Sequence, residues 1–126
     1  MAVSTIDTLV EARFIDFVTY RRDGTAVATP VIFVEGHDGL LVRVAHDSGK
    51  LKRLRHSNRV NIAACDQRGH RLGPPLSGQA RILGPDAIKP ALSALHSKYP
   101  IAGPLFTMLR RIQGSRNVIV EVVLDA

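Results

Sequence analysis

Apolar and β-branched residues are concentrated in six short stretches of the chain, and polar or turn-forming residues separate them. Short runs of this composition are typical of strands rather than of helices. The first two runs flank Asp23-Gly24, a dipeptide that tolerates the positive φ of a tight hairpin turn. The pattern therefore predicts six strands, at residues 13–20, 26–34, 40–45, 59–65, 76–83 and 117–124.

Helical spacing of apolar residues occurs in three further segments, residues 4–11, 85–98 and 104–112. The connecting helices are short, and the first half of the chain has the hairpins of an antiparallel sheet. Apolar runs such as Val118-Ile119-Val120 indicate a strand that is covered on both faces. We therefore predict a single, mainly β domain: a six-stranded antiparallel barrel, closed or split, with short α-helices.

Pro30 interrupts the second predicted strand. Proline has no N–H to donate to a β-ladder, so its position predicts a sheet edge or a bulge. Two interpretations follow. The neighbouring carbonyl groups are available to a ligand, or the proline simply protects the edge from pairing with another chain.

A basic segment, residues 47–56, follows the third predicted strand. Asp47 or Ser48 can cap a helix here, whose first free N–H groups suit a phosphate or a carboxylate. Leu51 and Leu54 form a narrow apolar stripe, which we expect Lys50 and Arg55 to flank, while Lys52 and Arg53 point outward. The segment is a candidate anion-binding cradle. The alternative is a solvated basic face on a surface helix.

The chain has 126 residues, with 17 Lys and Arg against 11 Asp and Glu, and this excess of positive charge favours an anionic partner. Its single cysteine, Cys65, excludes an internal disulfide and fits a reducing cytoplasm. No apolar run is long enough to span a membrane, and Met1-Ala2-Val3-Ser4 does not begin a signal peptide, so we expect a cytoplasmic protein. No metal-ligand spacing is present.

Catalytic motifs are also missing from the sequence. Ser48-Gly49-Lys50 lacks the preceding glycine of a P-loop, and we expect the five histidines to be surface residues and Cys65 to be a core residue. This composition favours a scaffold whose bound cofactor carries the chemistry. A small basic barrel that binds nucleic acid is an alternative; the charge supports it, and the shortage of aromatic residues weighs against it.

Several motifs occur together in a fixed order over about residues 14–83: Tyr20-Arg21-Arg22-Asp23-Gly24-Thr25, Ala28-Thr29-Pro30-Val31, Asp47-Ser48-Gly49-Lys50 with Arg53 and Arg55, and Cys65-Asp66-Gln67-Arg68-Gly69. In this order they resemble the deazaflavin-dependent branch of the pyridoxamine 5′-phosphate oxidase-like split-barrel proteins. The resemblance implies a barrel of the FMN-binding split-barrel type, forming a homodimer with coenzyme F-420 in a groove at the subunit interface.

By position in the motifs, the resemblance assigns three sets of cofactor-binding residues: Ser48, Gly49 and Lys50 at the phosphate; Lys52, Arg53 and Arg55 near the acidic tail; Thr29, Pro30 and Val31 beside the ring system. The implied activity is hydride transfer between the reduced deazaflavin and an unidentified small organic acceptor, with no protein nucleophile. The chain departs from the family at Ile32, where relatives often have an aromatic residue, and at Val44, where many have threonine. The alternatives are an FMN-dependent oxidoreductase and a non-catalytic carrier of a flavin or tetrapyrrole.

Overall fold

The computed structural model describes residue 9, residues 12–99 and residues 117–125. Its regular elements, in chain order, are β1 (Phe14–Tyr20), β2 (Ala26–Val31), β3 (Phe33–Glu35), β4 (Leu40–Ala45), α1 (Gly49–His56), β5 (Arg59–Cys65), β6 (Leu76–Ile82), a 3-10 turn (Pro85–Ala87), α2 (Ile88–Lys98) and β7 (Asn117–Leu124). The mainly β fold is confirmed. The predicted helix at residues 104–112 lies outside the described residues, as does that at residues 4–11 except for the buried Leu9.

All seven strands join one antiparallel sheet in the order β2-β1-β5-β6-β7-β4-β3. Its two edge strands, β2 and β3, are consecutive in the chain, so the sheet curls round into a split barrel. The prediction of six strands was wrong because residues 26–34 form two strands, which meet at Ile32. Pairing is the reason: the segment up to Val31 pairs with β1, whereas Phe33 and the residues after it pair with β4.

The predicted turn before this segment is present. Gly24 has a φ of 89°, its N–H donates to the Arg21 carbonyl at 2.9 Å, and the Asp23 carboxylate accepts from Thr25 N at 2.9 Å. Pro30 lies in β2, the edge strand, opposite Asp16. At an edge, the N–H group that proline lacks is not needed for a hydrogen bond to a further strand. The prediction of an edge at Pro30 is confirmed.

The core fills the inside of the barrel with alternate residues of the strands. Phe17, Val42, Ile62 and Val120 are fully buried there, and α1 adds Leu51 and Leu54. Burying a side chain of this size contributes about 1.5–3 kcal/mol, so these residues supply much of the stability of the fold.

A second, smaller cluster lies outside the barrel, between the sheet and α2: Phe14, Ile32, Cys65, Leu95 and Tyr99. The Tyr99 hydroxyl donates to the Arg13 carbonyl at 2.7 Å and accepts from Phe33 N at 3.4 Å. Cys65 is buried in this cluster and is therefore a small core side chain, as predicted; burial also raises the pKa of its thiol to about 11. No helix in the described ranges has the length and hydropathy needed to cross a membrane.

Candidate functional site: a basic helix and the groove beside it

Helix α1 begins where the sequence predicts. Ser48 is its cap, since the Ser48 hydroxyl accepts from Lys50 N at 3.1 Å. Leu51 and Leu54 are buried and hold the helix against β1 and β4. The apolar stripe therefore fixes the orientation of α1, and its remaining side chains, which are mostly basic, lie at the surface.

Arg53 was predicted to point outward, and this prediction is wrong. Its Nε donates to the Thr19 hydroxyl at 2.7 Å, and Thr19 is fully buried on β1. Long helical side chains lean toward the N-terminus of their helix, and Arg53 follows this rule. Gly49 leaves room for it, because a Cβ there would lie 3.0 Å from Arg53 Nη1. Arg55, which we expected to flank the apolar stripe, is exposed.

Lys50 is half-buried beside Arg53. Burial, and then repulsion by Arg53, lowers the pKa of its ammonium group below the usual value. Among the ion pairs within the described residues, none involves a cation of α1. No described carboxylate therefore neutralises Lys50, Lys52, Arg53 and Arg55, and their mutual repulsion favours the binding of an anionic ligand.

Two adjoining hollows of about 420 Å³ each lie between α1, the β1–β2 hairpin and the start of β5. They share four lining residues, Tyr20, Arg21, Arg22 and His56. One hollow is completed by Gly49, Lys52 and Arg53, and the other by Gly24, Ser57, Arg59, Val60 and Asn61. We call the two hollows together the basic groove. Its described lining contains five Lys or Arg side chains and no carboxylate.

A chain of hydrogen bonds supports one wall of the basic groove. Ser77 Oγ donates to Asn61 Oδ1 at 3.1 Å, and Asn61 Nδ2 donates to the Tyr20 hydroxyl at 2.7 Å. A tyrosine hydroxyl has one proton of its own to donate. Because Asn61 is the donor in their contact, that proton remains available to an acceptor in the groove.

The sequence-predicted residues separate in the structure. Gly49, Lys52 and Arg53 line the basic groove, Ser48 and Lys50 form the first turn of α1, and Arg55 is not part of the lining. Thr29, Pro30 and Val31 lie on β2, where Thr29 is paired with Phe17 and Val31 is buried. Thr29 lies three residues along β2 from the hairpin, a distance of roughly 10 Å at the rise of a strand. Neither Thr29 nor Pro30 nor Val31 lines the groove.

Sequence reasoning missed the other half of the groove lining, above all Arg21, Arg22 and Arg59. The signal that could have found it is the position of these cations at strand ends. Val18 pairs with Asn61, so the antiparallel register of β1 and β5 brings Tyr20 level with Arg59. All five histidines are exposed, as predicted, and His56 lies in the groove lining.

Arg43 is an unusual buried charge away from the groove. It is 4% exposed, and its three guanidinium nitrogens have no hydrogen-bond partner among the described residues. Burial lowers the pKa of Arg43 to about 10, so it stays charged at neutral pH. Asn117 lies on the same face of the β4–β7 pair, and its Oδ1 also lacks a partner within the described ranges.

No protein-family model and no curated protein sequence matches the chain. Its structure is similar to that of HutZ, the heme storage protein from Vibrio cholerae, with a TM-score of 0.71 and 12% identity over 98% of this chain and 89% of HutZ. A candidate pyridoxamine 5′-phosphate oxidase from Listeria innocua has a TM-score of 0.67 and 14% identity over 98% of this chain and 93% of that protein. An FAD-binding protein from Mesorhizobium loti has a TM-score of 0.68 and 15% identity over 100% of this chain and 91% of that protein. At these identities the similarity establishes the fold alone.

Proposed function

We propose that this chain is an oxidoreductase that binds reduced coenzyme F-420 and delivers a hydride to a small organic acceptor. The observation that carries the proposal is the group of cations on the capped helix α1, none of which forms an ion pair with a described residue. The order of the motifs resembles the deazaflavin-dependent branch of the split-barrel proteins. The split-barrel fold, with structural neighbours that include an FAD-binding protein and a candidate oxidase, supports a flavin-type cofactor.

The anionic part of the cofactor fits the residues present. Ser48, Gly49 and Lys50 would hold the phosphate, where the dipole of α1 and the Lys50 ammonium act together. Lys52, Arg53 and Arg55 would meet the acidic tail. Because Lys50 is half-buried, its charge is screened less by water than the charge of an exposed lysine, so it is the residue on which phosphate binding should depend most.

When bound, the cofactor supplies the hydride, and the protein needs no nucleophile of its own. The chain's contribution is to bind the phosphate, to orient the ring and to exclude water around the acceptor. Thr29, Pro30 and Val31 are proposed beside the ring. They lie on the edge strand β2 and do not line the basic groove. We propose a homodimer whose interface groove holds the ring beside them.

Lys50→Ala tests the proposal. Titration with coenzyme F-420, followed by fluorescence quenching, is expected to show tight, salt-sensitive binding to the native chain and a loss of about tenfold or more in the variant. Lys89→Ala is the matched control, because Lys89 is an exposed lysine on α2 and its loss changes the net charge equally. Equal affinities of the two variants would show that Lys50 does not hold the phosphate.

A non-catalytic carrier is the second candidate, and the similarity to a heme storage protein favours it. Parallel titrations with FMN and with heme separate the candidates. If the protein prefers FMN, the proposed cofactor is wrong and the protein is instead an FMN-dependent oxidoreductase on the same fold. Tight binding of heme with no binding of either flavin-type cofactor would contradict the oxidoreductase proposal.

A further inference from the structure

We propose that two hollows away from the basic groove bind a small organic amine, with its ammonium group at Asp38 and its apolar part against β7. One hollow, of about 290 Å³, lies between the β3–β4 turn (residues 36–39) and the end of β7, and the other, of about 380 Å³, extends from that turn to β6. They share Asp38 and Val123, and we call them together the amine site. None of their described lining residues lines the basic groove or belongs to the proposed cofactor set, so the inference does not rest on the proposed function.

The smaller hollow has an apolar wall. Large aliphatic side chains at the end of β7 and beside it form this wall: Leu9, Leu40, Val122, Val123 and Leu124. Val123 is 40% exposed, so the wall presents apolar surface to water. An apolar group that packs on Val123 is removed from water, and this contributes favourably to binding.

The charged lining of the amine site is mainly acidic. The smaller hollow has two carboxylates, Glu35 and Asp38, and no Lys, Arg or His among its described lining residues. Glu35 attracts the ammonium group of Lys98 on α2, whereas Asp38 forms no ion pair within the described ranges. In the larger hollow, the guanidinium of Arg81 is paired with Glu121. The site therefore carries a local negative charge, although the chain as a whole is basic, and this charge favours a cation.

Hydrogen bonding favours an ammonium group over other cations. An ammonium has three N–H donors and no acceptor, and the Asp38 carboxylate can accept at the junction of the hollows. The side-chain amides of Asn58 and Gln79 in the larger hollow supply further acceptor oxygens. No group of three or more His, Cys, Asp or Glu in the described part of the chain is placed to hold a metal ion. An organic cation with an apolar part uses both the acceptors and the apolar wall.

The β3–β4 turn holds Asp38 beside β7. Gly36 N–H donates to the Gly39 carbonyl at 2.6 Å, and Gly39 lies so close to the Val122 carbonyl that a side chain there would collide with it. A carboxylate on a fixed turn loses less conformational freedom when a ligand binds, which favours affinity.

The test is isothermal titration calorimetry at about pH 7 with two ligands of similar shape: 2-phenylethylamine, which is protonated there, and the neutral 2-phenylethanol. We expect the amine to bind about fivefold more tightly than the alcohol, because only the amine gains the ion pair with Asp38. Asp38→Asn should abolish this preference and leave the affinity for the alcohol unchanged. Val123→Ser should weaken both ligands by about threefold, since it reduces the apolar wall. Both substituted positions are exposed, so both variants are expected to fold.

Asp86→Asn and Ile82→Ser are the matched controls, because they remove an exposed carboxylate and an exposed apolar side chain outside the amine site. Glu35→Gln is expected to weaken amine binding less than Asp38→Asn, because Lys98 already compensates part of the charge of Glu35. The inference is overturned if neither ligand binds, if the alcohol binds as tightly as the amine, or if the controls lose as much affinity as the site variants.

Discussion

Replacing Arg43 by methionine is expected to stabilise the protein. The guanidinium is almost fully buried, and none of its nitrogens has a partner among the described residues. Replacement of buried, poorly compensated charges by apolar side chains of similar volume commonly stabilises proteins by about 1–4 kcal/mol. Methionine suits the site because its unbranched side chain adapts to the space that an arginine stem occupied.

The pKa of Arg43 gives an independent magnitude. Burial lowers it from the ordinary arginine value to about 10, and a shift of that size corresponds to about 3 kcal/mol of destabilisation by the charged form. For a cation whose pKa falls on folding, the cost is fully present below the folded-state pKa and diminishes as the pH rises above about 10 toward the pKa of the unfolded chain. The gain from Arg43→Met is therefore expected to be constant between about pH 6 and pH 8.

Urea unfolding and thermal scans of the two proteins measure the gain. For a chain of this length, about 3 kcal/mol raises the melting temperature by roughly 10 °C. Arg43→Lys is the control: it keeps a buried charge and is expected to give no such increase. A lower free energy of unfolding for Arg43→Met would refute the reasoning, since it would mean that the guanidinium has an anionic partner.

Three further predictions test other contacts. Thr19→Val removes the acceptor of Arg53 and is expected to lower the free energy of unfolding by about 1–3 kcal/mol and to weaken anion binding; unchanged binding in coenzyme F-420 titrations would contradict the positioning of Arg53. Tyr99→Phe leaves the Arg13 carbonyl and Phe33 N–H without the hydroxyl and should cost about 1–3 kcal/mol in urea unfolding, whereas Tyr20→Phe, at a half-buried site, should cost less. The Cys65 thiol, with a pKa raised to about 11, should react slowly with iodoacetamide at pH 8 and faster as the pH rises or the protein unfolds; rapid labelling of folded protein at pH 8 would show that the thiol is accessible and ionised.

Local sequence determined the individual elements of this protein. The Asp23-Gly24 turn, the Ser48 cap and the buried pair Leu51 and Leu54 each depend on residues close together in the chain, so the sequence predicted them. The same is true of the concentration of cations on α1. The capped start of α1 is a local property of one segment and is present in the structure as expected, whereas its role as an anion-binding cradle stays a prediction.

Pairing between distant segments decided the rest. The split of residues 26–34 at Ile32 depends on which strands meet each half, and no local pattern contains that information. Arg53 turns inward because Thr19, 34 residues away, offers an acceptor. The basic groove exists because the register of β1 and β5 brings Tyr20 level with Arg59. Such contacts join residues that are remote in sequence, and their geometry is set only when the barrel closes.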